Sequence, residues 1–214
     1  MFLGSGLDSI TMDDKTMQAW RKFLDPDLLR TNLISASLFL TGWELLRECV
    51  IEQPKGFFVV VHGDLSEDRQ TYREEILCRD KSPFLASLAW FHEQGAVDDD
   101  DLTLVDLLYK YRCEIAHELP AIVMSDQEID IPLFGRLVGL VDKIDRWWIR
   151  EIECAINPLA NGQAPYDVPD SEIHSGRMIV LSMMLQIATG DEEQANVWKN
   201  MLPEAGERPT WDAS

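Results

Sequence analysis

No run of about 18 consecutive apolar residues, the length a bilayer-crossing helix requires, occurs in this chain. Its opening, MFLGSGLDSI, puts no basic group ahead of an apolar block and carries no small-residue cleavage pattern. We therefore expect a protein that neither spans a membrane nor is exported, and we place it in the cytoplasm. Cysteine is scarce and scattered: Cys49, Cys78, Cys113 and Cys154 form no C-x-x-C pair. That argues against a disulfide framework or a zinc knuckle and for reduced thiols. Positive charge is short as well. Lys and Arg total 19 against 38 Asp and Glu, a net charge of −19, which repels nucleic acid and anionic membrane at long range. Salt screens such a field beyond about 8–10 Å, so a local basic group still grips a phosphate. No repeat of fixed period is visible.

What is present is apolar and aromatic: 46% hydrophobic residues and 7 tryptophans in 214 residues, a globular composition with room for one well-cored domain. The apolar spacing predicts helices almost throughout. Residues 12–24 read as an amphipathic helix that stops before Pro26. A long helix over 27–53 repeats Leu29, Leu33, Ala36, Leu40, Trp43 and Leu46 at three- and four-residue intervals, and Pro54 and Gly56 are expected to end it. GFFVVV (56–61) is the one strand candidate, and it fits a packed loop equally well. Asp64 or Ser66 is expected to cap a helix to about Arg79, Ser82-Pro83 to open one that Gly95 stops, and Asp98–Asp101 to start the next, which gives way to a polar connection after Pro120. Pro132 opens another, to about Ile156. Residues 157–170, NPLANGQAPYDVPD, form a linker, and two helices, about 171–189 and 191–202, follow it. The fold class is all-α: a helical bundle over 1–156, a linker over 157–170, and a C-terminal helical appendage over 171–214 packed on the same domain.

The chemistry concentrates in DDDDLTLVDLLYKYRCEIAHELP, which contains YKYRCEIAHELP (109–120). At about 100° per residue, Asp106, Lys110, Glu114 and Glu118 form a polar arc. Leu104, Val105, Leu108, Tyr109, Tyr111, Ile115, Ala116 and Leu119 form an apolar one. Arg112 falls near the middle of the apolar arc. Its charge cannot be lost and costs several kcal/mol if buried unpaired, so it must face a carboxylate, a cavity or a partner surface. His117 sits at the border of the polar arc, with Cys113 one turn below.

Arg112-Cys113-Glu114-Ile115-Ala116-His117, with the flanking E-L-P, resembles the R-x4-H signature of HEPN domains. The resemblance extends over about residues 27–156. It implies a HEPN-like helical bundle with additional C-terminal helices, and an endoribonuclease that works without a metal or other cofactor, as in toxin–antitoxin and antiphage defence systems. It further implies an RNA substrate, a homodimer with two motif helices facing each other, and a cognate antitoxin or defence-system protein as partner. His117 would be the general base that activates a ribose 2′-hydroxyl, and Arg112 would neutralise the charge developing on phosphorus. Tyr109, Cys113, Glu114 and Glu118 would support them. Cys113 stands where the family usually has a polar residue such as Asn, and a thiol is a weak donor. Leu119 stands where the nucleotidyl-modified toxins carry Tyr. An ideal helix separates Arg112 and His117 by about 140°, a geometry that a second subunit resolves.

Other features are weighed beside that motif. Arg136, Lys143, Arg146 and Arg150 fall within about 80° beside Trp147 and Trp148, which suits a phosphate-tracking edge with a stacking platform. Interleaved Asp142, Asp145, Glu151 and Glu153 favour instead a solvated, salt-bridged face. Asp98–Asp101 suits helix capping better than a divalent cation. His62 and His174 read as surface or packing histidines, and Met183-Met184 as core. Two other functions fit the same sequence: a non-catalytic HEPN-like dimeric module that binds a protein or nucleotide, and an acidic decoy that mimics nucleic acid.

Overall fold

The structure, a computed structural model, describes residues 13–61, 70–124, 129–156, 168–169, 172–188, 190 and 196. All regular structure among these residues is helical. Helix α1 spans Asp14–Phe23, α2 Pro26–Val61, α3 Pro83–Glu93, α4 Asp99–Met124, α5 Ile131–Trp148 and α6 Gly176–Ala188. A π-helical turn, Arg73–Leu77, precedes α3. A second, Ile149–Glu153, extends α5 into the short turn Cys154–Ile156.

Helix α2 is the axis of the bundle. Its 36 residues run about 54 Å, and it packs against each of the other helices. The reason lies in its spacing: Ala36, Phe39, Trp43, Leu46 and Val50 recur every three or four residues and are all buried. Gly42 sits where α2 meets α5, and a Cβ there would come within 3.0 Å of Leu137 and 3.1 Å of Phe134. Contacts pair Phe39 with Phe134 and Phe57 with Trp148, so α2 and α5 run parallel. Trp43 meets Tyr109 and Phe39 meets Tyr111, so α4 runs antiparallel to α2.

Local chemistry sets the boundaries. Ser82 caps α3, its hydroxyl accepting from Leu85 N. Gly95, at φ 77, closes α3 with Gly95 N donating to His92 O and Ala96 N to Phe91 O, the bond pair of a Schellman motif. Asp98 and Asp101 then cap α4 reciprocally, each carboxylate accepting the other's backbone N–H at 3.0 and 2.9 Å. Asp130 caps α5 through Leu133 N at 2.8 Å.

Three expected boundaries move. GFFVVV is not a strand: residues 56–61 are the last turns of α2, which runs through Pro54. Pro54 is buried, and beyond it Phe57 packs on Trp148 and Phe58 on Trp90, so continued helix buries rings that a turn would expose. Pro120 likewise lies inside α4, which reaches Met124, with Ile122 buried beyond it. The helix expected from about residue 171 begins at Gly176, after an N-cap in which Ser175 Oγ accepts from Met178 N at 3.1 Å. Most of the expected linker and of the 191–202 helix, and the start of the helix expected from Asp64 or Ser66, lie outside the described residues. Helix α6 packs on α2 and contributes Leu181, fully buried, to the common core.

Candidate functional site

Helix α4 shows the inner and outer faces that its spacing predicts. Leu104, Val105, Leu108, Ile115 and Ile122 are buried. Between this core face and the solvated residues Asp106, Lys110 and Glu118 lies a strip of Tyr109, Cys113, Ala116 and Pro120, each exposed or half-buried. Arg112 flanks the strip on one side and the exposed His117 on the other. The regular helix separates the two by about 140° and about 7.5 Å of rise, so one chain does not bring them together.

Arg112 finds a carboxylate on α2. Its Nη2 stands 3.6 Å from Glu44 Oε1, with 34% and 51% of the two side chains exposed. That is an ion pair without a hydrogen bond. Glu44 gives its other oxygen, at 2.6 Å, to Arg47 Nη1 one turn along α2. Arg112 Nε is buried with no hydrogen-bond partner. Among the described residues, no hydrogen bond saturates this guanidinium and none engages His117. Glu114 is half-buried and engaged in an interaction of its own, and Glu118 is exposed.

The aromatic residues around Arg112 are held firmly. Tyr109 leaves 56% of its surface exposed while its ring leans on the buried Trp43, centroids 5.8 Å apart. Tyr111 turns inward, edge-on to Phe39 at 4.9 Å, and its hydroxyl accepts from Asp130 N at 2.7 Å. Burial holds the Tyr111 phenol above its usual range, partly offset by that hydrogen bond.

A second polar centre escaped the sequence reading. Asp145 is not on a solvated face; only 1% of it is exposed. Its Oδ1 accepts from Arg177 Nη1 at 2.7 Å, Gln53 Nε2 at 2.7 Å and Cys49 Sγ at 3.2 Å, and its Oδ2 accepts from Ser175 Oγ at 2.5 Å. Burial, reinforced by the Asp145 charge, pushes the Cys49 thiol well above its usual range. The available signal was angular: Asp145 adjoins the Leu137, Leu140, Val141, Ile144 and Trp148 stripe on the helical wheel.

The remaining candidates resolve by their partners. Lys143 bridges Asp98 at 2.8 Å and Asp101 at 2.5 Å, and this pairing, with the backbone of Asp101, lowers the Asp98 carboxyl to about 2. Arg146 pairs with Asp142 at 2.9 Å, and Arg150 donates to Val168 O at 2.6 Å. Trp148 is buried and Trp147 packs edge-on against Trp90 and Phe91, which closes the stacking platform, the less favoured reading of this helix. His174 is exposed at a small cavity of 190 Å³, and His62 lies outside the described residues. Met184 is not core: with Leu33, Ile34 and Ile187 it lines an open apolar groove of 390 Å³ between α2 and α6. No group of three or more His, Cys, Asp or Glu among the described residues could hold a metal ion, and no described helix is long and apolar enough to cross a membrane. No protein family, curated protein or solved structure matches the chain.

Proposed function

We propose that the chain is a HEPN-type endoribonuclease acting without a metal, with Arg112 and His117 as its catalytic residues. The observation that carries this reading is the state of Arg112: a guanidinium with no hydrogen bond among the described residues, about one-third exposed beside an otherwise apolar strip. Its carboxylate partner stands beyond hydrogen-bond reach, which leaves its outer nitrogens open to a phosphate. His117, exposed on the same helix, presents an imidazole, whose ring nitrogen can accept a proton in general-base catalysis.

In this mechanism His117 takes the proton of a ribose 2′-hydroxyl as the oxygen attacks the adjacent phosphorus. The new 2′-O–P bond forms, the P–O5′ bond breaks, and the departing 5′-oxygen takes a proton from water. The product is a 2′,3′-cyclic phosphate and a free 5′-hydroxyl. Arg112 stabilises the dianionic phosphorane between these steps. The 140° offset is met by a homodimer in which two copies of α4 meet at Ala116 and Pro120, the end of the strip away from Tyr109, so that Arg112 of one copy and His117 of the other line one groove. A role as toxin or antiphage defence effector, with a cognate antitoxin, follows from the same resemblance.

A second reading is a non-catalytic dimeric module for a protein or nucleotide. The Glu44 carboxylate at Arg112 and the weakly donating Cys113 beside it favour that one. Assay of single-stranded and tRNA-like RNA in EDTA separates the two. The ribonuclease reading expects cleavage that falls about 10²-fold in Arg112→Ala and in His117→Ala. Unchanged cleavage in both variants contradicts it; a dimer that never cleaves supports the module.

A further inference from the structure

We propose that Tyr109 is the stacking platform for an unpaired nucleobase, which makes the substrate single-stranded RNA held over about two nucleotides; this rests on the ribonuclease reading. Tyr109 is 56% exposed, although Trp43, the ring it leans on, is 97% hidden. The contact, centroids 5.8 Å apart with planes at 47°, supports Tyr109 from one side. Phe84 supports Trp43 in turn at 5.6 Å. The result is a rigid aromatic side chain with solvent-facing surface and little entropy left to lose on stacking. Arg112 lies one turn farther along α4, and residues at that spacing sit about 5–6 Å apart at Cβ. A nucleotide spans that gap: base on Tyr109, phosphate on Arg112.

Charge sets the direction and the length of the footprint. Arg47 and Arg112 both face the carboxylate of Glu44, and Arg47 takes the closer bond, which leaves Arg112 the less neutralised of the two on a chain of net −19. Along α2, the three carboxylates Glu44, Glu48 and Glu52 line a groove of 280 Å³ against the one guanidinium of Arg47. Because α2 and α4 are antiparallel, that groove leads away from His117. Phosphates are repelled there, so the RNA runs from Tyr109 across Arg112 toward His117 and extends no farther on the acidic side. Stacking does not distinguish sequence, since every base has a π face. It does require an unpaired base.

The test uses the full chain carrying His117→Ala, which binds without turnover, and a fluorescein-labelled oligoadenylate hexamer read by anisotropy. Adding Tyr109→Ala should weaken binding about 10-fold, whereas Tyr109→Phe should retain it. The slope of log K against log salt should be shallow, about −0.7 to −1.4, as for one or two phosphates on a single strand. In the His117 background of the native chain, Tyr109→Ala should raise KM and leave kcat in place. Unchanged affinity in Tyr109→Ala, or equal affinity for the hexamer and its duplex, overturns the platform. So does a shift from dimer to monomer in Tyr109→Ala by light scattering, which would make the ring a subunit contact. Cleavage lost in His117→Ala with affinity indifferent to Tyr109 leaves the ribonuclease and removes the platform. Tyr109-dependent binding by a wild-type chain that never cleaves removes the ribonuclease and supports the platform.

Discussion

Arg177 reaches Asp145 at 2.7 Å, where three further side chains donate to the same carboxylate; Arg112 stands 3.6 Å from Glu44, where Arg47 is the only closer donor among the described residues. Both pairs join α2 or its neighbours across the bundle, and both unite one guanidinium with one carboxylate. Their surroundings separate them. Asp145 is almost fully buried, so removing any donor would leave a charge in a low-dielectric interior. Glu44 is half-exposed, and water already solvates much of what Arg112 leaves undone. The first pair is a knot that fastens α6 to α2 and α5. The second is a looser contact, beyond hydrogen-bond distance and between two partly exposed side chains. A count of ion pairs would treat them alike; the burial of the carboxylate and the number of its donors tell them apart.

The largest effect expected from this contrast is on stability. Asp145→Ala should cost about 3–5 kcal/mol, the usual cost of breaking a buried pair, read as a lower denaturant midpoint. Glu44→Ala should cost less than about 1 kcal/mol. Similar losses at the two positions would erase the distinction.

Activity should invert that order. Arg112→Lys should stay well below wild type in RNA cleavage, because an ammonium lacks the planar fork, while melting at the wild-type temperature. Cys113→Asn, which places a stronger donor beside Arg112, should raise the rate. A rate unaltered by either substitution would show that Arg112 does not meet the phosphate.

A smaller change is expected at Glu44. Glu44→Gln removes the competing charge, and RNA should bind about fivefold tighter, as Coulomb interaction near 4 Å in a wet site allows. Looser binding would mean that Glu44 orients Arg112 rather than competing for it.

The smallest effect concerns acid. The Asp98 carboxyl is held near 2, below its ordinary 3.8, chiefly by Lys143. A depressed carboxylate contributes stability that is fully present above its unfolded value and lost as pH falls through its folded one. The melting-temperature gap between wild type and Lys143→Ala should therefore hold at pH 5 and shrink between about pH 4 and pH 2. A gap that is constant over that range would refute the pairing.

The helical architecture was legible wherever periodicity and caps agreed. Ser82-Pro83, Gly95 and Asp98 mark real termini because their chemistry is local: a side-chain acceptor for free N–H groups, or a left-handed turn. Pro54 and Pro120 misled because a proline's local cost is set against burial beyond it, and Phe57, Phe58 and Ile122 lie beyond. Within the candidate site, Arg112, His117 and Tyr109 could be placed on α4 from spacing alone. Glu44 and Arg47 could not. They read as solvent-facing positions of another helix, and only the antiparallel packing of α2 on α4 brings Glu44 to Arg112. Asp145 was misplaced for a related reason. Its donors come from residues 49, 53, 175 and 177, too far apart in sequence for any spacing rule to join.

The most direct test of the central claim is the chemical identity of the RNA ends produced in EDTA. Wild-type protein should leave 2′,3′-cyclic phosphate and 5′-hydroxyl termini, and His117→Ala should leave almost none. Strict dependence on added Mg²⁺ or Mn²⁺, or the same ends at the same rate from His117→Ala, would contradict the assignment of Arg112 and His117 as the catalytic pair.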